Sequence, residues 1–271
     1  MKAVFRTLLA LGVISEIAVV TLSATLSALS GWWVLAPISV IAVAFMLLFV
    51  GMATDRRKKG SWSVSLSYTA ERFGVPRLAL ALLVSEISSL WSLTKVFTRP
   101  SSPAGFDAHP GYKNLRTVVI LIVALVIVES IVIHLAVPSQ FWRILLLVLS
   151  IYALLLLIGF YTSIKVNPHL LTPRGLEIRR GHSFVCEIPW ENLARVEKAG
   201  PGQGGDIIIN EDGEARLPVL SEVNVRLEME PSVLAEDLHK GRVYVTAVEI
   251  YCDDRNSFLD SVAEAWQSRI M

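Results

Sequence analysis

The sequence predicts an α-helical membrane domain of four spans, followed by a β-rich domain that a terminal helix closes. Three observations carry that expectation. Residues 7–52 and 117–162 are two long apolar pairs, each holding two membrane-length segments with only a few residues between them. After Thr162 the apolar pattern changes from helical to strand period. Charge divides the same way: residues 1–162 carry thirteen Lys and Arg against six Asp and Glu, which leaves twelve against eighteen for residues 163–271. A net charge of +1 therefore hides a basic membrane half and an acidic tail. With 53% hydrophobic and 18% charged residues, the composition departs from that of a soluble domain.

A helix rises about 1.5 Å per residue, so about 20 apolar residues cross a hydrocarbon core of about 30 Å. Four segments qualify, at about residues 7–28, 32–52, 117–137 and 141–162. Ser30-Gly31 makes a tight turn in the first pair and Pro138 stops the third span, so each pair reads as a helical hairpin. Trp32, Trp33, Phe141 and Trp142 mark one membrane interface, where an aromatic ring satisfies both its apolar body and its polar edge. The first stretch is too long for a signal h-region and lacks a small-residue cleavage site, so it is expected to stay in the mature chain.

The loop at 53–116 holds ten Lys and Arg against four acids, led by Arg56, Arg57, Lys58 and Lys59. The positive-inside rule places it in the cytoplasm, together with both termini and the tail domain. Reduced thiols are then expected for Cys186 and Cys252. Within the loop, residues 76–97 repeat apolar positions at helical spacing, with Ser, Glu and Lys on the remaining surface. One reading is an amphipathic helix on the inner leaflet, with Arg56 to Lys59, Arg77 and Lys95 near anionic headgroups; the other is a helix packed under the bundle or onto the tail domain. Residues 99–113, rich in Pro, Ser and Gly, read as a flexible return to the third span.

Glu16 and Glu129 fall near the middle of the first and third spans, where an ionised acid is costly. Ser130 and His134 are four apart and share a helix face, whereas Glu129 and His134 are rotated by about 140°. These four residues form the candidate intramembrane polar cluster. It would serve a proton, a cation or a lipid headgroup, or else act as an interhelical hydrogen-bond network that fixes register.

Strand-like runs follow at residues 170–172, 175–180, 183–188, 194–199, 206–210, 214–217, 223–229 and 242–252, separated by Pro, Gly, Asn and Asp turns. Asp253 or Asp254 then caps a helix whose apolar stripe is Phe258, Leu259, Val262 and Trp266. An antiparallel barrel or sandwich plugged by one helix is the expected arrangement. Leu171-Thr172-Pro173-Arg174-Gly175-Leu176-Glu177-Ile178 and Glu187-Ile188-Pro189-Trp190-Glu191-Asn192-Leu193, with the closing segment at 248–266, resemble the bacterial pleckstrin-homology-like domains found after membrane hairpins. The resemblance covers about residues 165–269. It implies a barrel of about seven strands with a C-terminal helix, in proteins many of which look like scaffolds or protein-binding modules. Residues 1–164 resemble uncharacterised bacterial membrane proteins and imply no function.

The acidic tail and a Gly-rich loop without Lys or Arg disfavour a polyanionic ligand, and that loop lacks a P-loop ending. Arg174, Arg179 and Arg180 would meet lipid headgroups or stand as solvated strand-edge charges. No spaced Cys and His set suggests a metal, no cofactor is expected, and nothing suggests nucleic-acid binding. Cys186 near His182 reads as a small core residue rather than a nucleophile. Two functions fit: a non-enzymatic scaffold or regulator of a bacterial inner membrane whose tail domain binds a protein, or a small transport or lipid-handling unit using Glu16, Glu129 and His134. The hairpins permit a homodimer without requiring one.

Overall fold

A computed structural model describes residues 35–59, 62–97, 106–200 and 205–270, with Thr7, Ala10 and Ile14 as isolated helical positions. Nearly all of the first predicted span, including Glu16, lies outside the described residues, as do Trp32 and Trp33. The chain divides into two compact units, residues 1–82 and 83–271.

In the first unit, α1 (Leu35–Lys59) holds most of the second predicted span and continues beyond it. Its last turns pair antiparallel with α2 (Trp62–Phe73), on whose buried face lie Ser63, Leu66, Thr69 and Phe73. Phe73 packs on Gly51, and Thr69 Oγ1 donates to Asp55 Oδ2 over 3.2 Å. Arg72 Nη1 lies 3.6 Å from the same buried carboxylate, so the one acid beside the basic run is neutralised inside the hairpin. Gly74, at φ 69°, ends α2 in the left-handed conformation, which glycine adopts without steric cost. Pro76 then opens α3 (Arg77–Ser92), which a 3-10 turn extends over Leu93–Lys95.

In the second unit, α4 (Lys113–Ala136) and α5 (Gln140–Val166) form a hairpin whose outer side chains are largely exposed. Both are long and apolar enough to cross a membrane, and Arg77–Lys95 is the third such helix among the described residues, the least apolar of the three. This is the architecture of a multi-pass membrane protein.

Part of α3 belongs to this unit and lies beside α5. Tyr152 donates to Glu86 Oε2 over 2.9 Å, Gly159 backs onto the Ser89 carbonyl, and Lys165 Nζ donates to Val96 O over 2.9 Å. These contacts advance together along both helices, so the two run in the same sense. Ser89 and Gly159 are small enough for close backbone approach, which makes the serine-rich surface a packing face.

Nine strands are present among the described residues: β1 (Asp107–His109) ahead of α4, then β2 (His169–Thr172), β3 (Gly175–Arg180), β4 (Phe184–Pro189), β5 (Leu193–Lys198), β6 (Ile208–Ile209), β7 (Glu214–Leu217), β8 (Val225–Asp237) and β9 (Gly241–Ile250). Their order is β1-β2-β3-β4-β8-β9-β7-β6, with β5 joined to β8 off that path. Each predicted strand run is present, as β2 to β9. Three features differ from the expectation. The sheet is mixed rather than antiparallel throughout, because β7 and β9 pair in parallel. Strand β8 continues past Pro231, where its ladder with β9 shifts register between Glu228 and Val233, an irregularity that tolerates a residue with no N–H. And β1 arises from the segment read as a flexible return; it pairs with β2 and forms the sheet edge.

The core gathers Ile178, Phe184, Leu227 and Val248 with Phe258 and Val262 of α6 (Arg255–Ile270). Asp254 is the cap, its Oδ1 accepting from Ser257 N at 3.0 Å. Its neighbour Asp253 serves another helix, accepting from Lys113 N at the start of α4 over 2.9 Å. Leu115, Val119, Ile164, Val219 and Tyr251 form a second, smaller core at that joint. The hairpin and the sheet therefore belong to one compact unit, residues 83–271.

His169 lies buried beside that joint. Arg179 N donates to its Nδ1 over 3.4 Å, which leaves Nε2–H to face Tyr251 O at 3.3 Å, a pattern only the neutral ring satisfies. Burial pushes its pKa down to about 4. Because this lies below the unfolded value of about 6.5, the stabilisation is complete above about pH 6.5 and is lost as pH falls toward 4. The loss is on the order of 3 kcal/mol at full protonation. Denaturant unfolding of the full chain in nanodiscs should show it, and His169→Gln should flatten the profile over that window. An unchanged profile would assign the acid sensitivity to other groups.

Candidate functional site

Thr172 organises the turn between β2 and β3. Its hydroxyl accepts from Arg174 N and Gly175 N, each at 3.2 Å, and donates to Gly175 O over 2.8 Å. Gly175 is required by close approach, since a Cβ there would overlap the Ile188 carbonyl of β4. Trp190, in the 3-10 turn after β4, donates from Nε1 to Thr172 O over 3.2 Å. The two segments that carry the family resemblance thus meet at one corner.

That corner is the wall of an open groove of about 990 Å³. Phe106 ahead of β1, Trp190 and Trp266 of α6 contribute aromatic surface, with Pro173 and Pro189 beside them. The rim carries Glu177, Glu187 and Glu191 against Arg174. Glu177 and Glu187 stand directly opposite each other in the β3–β4 ladder, a pairing of like charges that is unfavourable by itself. Arg179 meets one side, with Nε 2.7 Å from Glu177 Oε1.

The three arginines expected near headgroups separate. Arg174 is exposed at the groove, Arg179 is paired with Glu177, and Arg180 donates to Pro218 O at 3.0 Å and Gly205 O at 2.9 Å. Of the basic residues expected at the membrane surface, Arg56, Arg57 and Lys95 are exposed and Arg77 is half-buried. Arg56 stacks 4.3 Å from the Trp62 ring centre. The side chains of Lys58 and Lys59 lie outside the description.

The intramembrane cluster separates too. Ser130 and His134 line a cavity between α4 and α5, but with Ser150 and Arg143 rather than with Glu129. Glu129 is exposed on another face of α4, one helical step of about 100° from Ser130. Ser150 and Arg143 escaped sequence reasoning because they sit on the neighbouring helix, with no spacing to link them to His134.

Elsewhere, His182 Nε2 lies 2.7 Å from Ser92 Oγ. Ser92 gives its proton to Ser88 O at 2.8 Å, so it accepts from the imidazole, and the pair fastens α3 to the β3–β4 turn. Cys186 and Cys252 are buried in the core, and burial pushes the Cys186 thiol up to about 12, away from nucleophilic chemistry. Compared with protein families, curated proteins and solved structures, the chain matches none.

Proposed function

We propose that this chain is a non-enzymatic docking protein of a bacterial inner membrane, with a cytoplasmic pleckstrin-homology-like sheet domain that receives an extended basic segment of a partner protein. The observation that carries this reading is the like-charge pair Glu177 and Glu187 beside aromatic walls in one groove. Arg179 already answers Glu177, so Lys or Arg side chains from a ligand would pair with the exposed Glu187 and Glu191 and lay their stems on Trp266. An exposed edge at β1 and proline-lined walls suit an extended chain better than a helix. The acidic balance of the tail favours the same partner.

The test uses the full chain in nanodiscs and two sets of extended peptides that differ only in Lys and Arg against Asp and Glu. Basic peptides should bind at least about tenfold more tightly, with affinity falling as salt rises. The double reversal Glu177→Lys and Glu187→Lys should invert that preference while α6 remains folded. Equal binding of both sets, or a preference that survives the reversal, rejects the reading.

A further inference from the structure

The α4–α5 hairpin carries a second site at the end remote from the sheet. Lys113 and Val166 mark the sheet end of the two helices, and the turn at Val137–Ser139 marks the other. Arg143 stands three residues into α5, next to the exposed ring pair Phe141 and Trp142. Such rings favour the headgroup level. Arg143 Nη2 donates to Val137 O at 3.0 Å, whereas its Nε is buried without a partner. Ser130, His134 and Ser150 converge with it on a cavity of about 30 Å³. A groove of about 440 Å³ shares those three residues and continues along Ile127, Ile131, Ile151 and Leu154.

We infer that this groove binds an anionic phospholipid of the leaflet remote from the sheet domain, its phosphate at Arg143, His134 and Ser150 and one acyl chain along Ile131 and Leu154. Three features favour that occupant. Among the described residues no carboxylate lines either cavity, so the polar end presents donors and positive charge to an anion. A buried guanidinium N–H without a partner at the headgroup level calls for an acceptor, which a lipid phosphate supplies and acyl chains do not. From Arg143 to Leu154 the helix climbs about 16 Å, close to the half-thickness of a hydrocarbon core of about 30 Å, so the groove matches one chain of one leaflet. This site is independent of the sheet-domain groove.

Native mass spectrometry of the full chain, extracted from vesicles of equal phosphatidylglycerol and phosphatidylcholine, tests it. Phosphatidylglycerol should be retained at least about tenfold over phosphatidylcholine, and Arg143→Gln should remove that preference. Ile131→Trp, which fills the groove and leaves the polar end intact, should lower retention of both lipids. Equal retention in all three proteins would mean annular lipid only and overturn the proposal. So would competition by millimolar inorganic phosphate as effective as that by phosphatidylglycerol, since the acyl groove would then contribute nothing. An Ile131→Cys chain that crosslinks efficiently to a second copy, or to residues 7–28, would show the groove filled by protein and also overturn it.

Discussion

Phe258→Ala should destabilise the sheet domain by about 3–5 kcal/mol, the usual range for removing a buried aromatic ring. Phe258 is fully buried, and its ring meets His109 edge to face at 5.1 Å between centroids. It therefore joins three elements at once: α6, the sheet core and edge strand β1. A domain of this kind has a total stability of only about 5–15 kcal/mol, so the loss should be large in any unfolding assay. Hydrogen exchange of the full chain in nanodiscs resolves it further. Residues 107–109 and 255–267 should lose protection together, whereas Phe258→Leu should retain most of it. Protection of β1 that survives Phe258→Ala would show that the edge strand is held by its ladder to β2 alone.

Gly159→Leu should detach α3 from α5. A Cβ at 159 would overlap the Ser89 carbonyl, and a main-chain atom cannot swing aside as a side-chain tip does. Overpacking of this kind costs about 1–3 kcal/mol. Amide exchange over residues 83–96 should accelerate by about ten- to a hundredfold, while α4 and the strands keep their protection. Glycine lowers the stability of a helix interior relative to alanine by about 0.5–1 kcal/mol, so a Gly159→Ala chain that is more stable and equally protected would refute the contact. Ser92 and His182 make the neighbouring tie. Detachment should therefore also expose the β3–β4 turn.

These two contacts bear on function through rigidity. With α4 capped by Asp253 and α3 held at Gly159, the groove stands on a scaffold fixed to the membrane helices. The partner segment proposed for that groove would then be held at a set distance from the membrane helices.

The sequence by itself determined the long apolar helices at 35–59, 113–136 and 140–166, the strand runs from β2 to β9 and the terminal helix. Those are local properties: hydrophobic length, period and turn residues operate within a few neighbours along the chain. It also marked Leu171 to Ile178 and Glu187 to Leu193 as special, and both border the groove. Tertiary structure decided the rest. It drew β1 from a Pro- and Ser-rich linker, because the ladder that orders Asp107–His109 comes from β2, some sixty residues later. It placed Glu177 opposite Glu187, a register that no spacing rule reveals before the hairpin is built. It seated Ser89 of α3 against Gly159, a contact the sequence left open, since a serine reads alike whether it meets water or a close-packed backbone. And it replaced Glu129 with Arg143 and Ser150 as companions of His134, because helix rotation and pairing, not depth in the membrane, choose which polar groups meet.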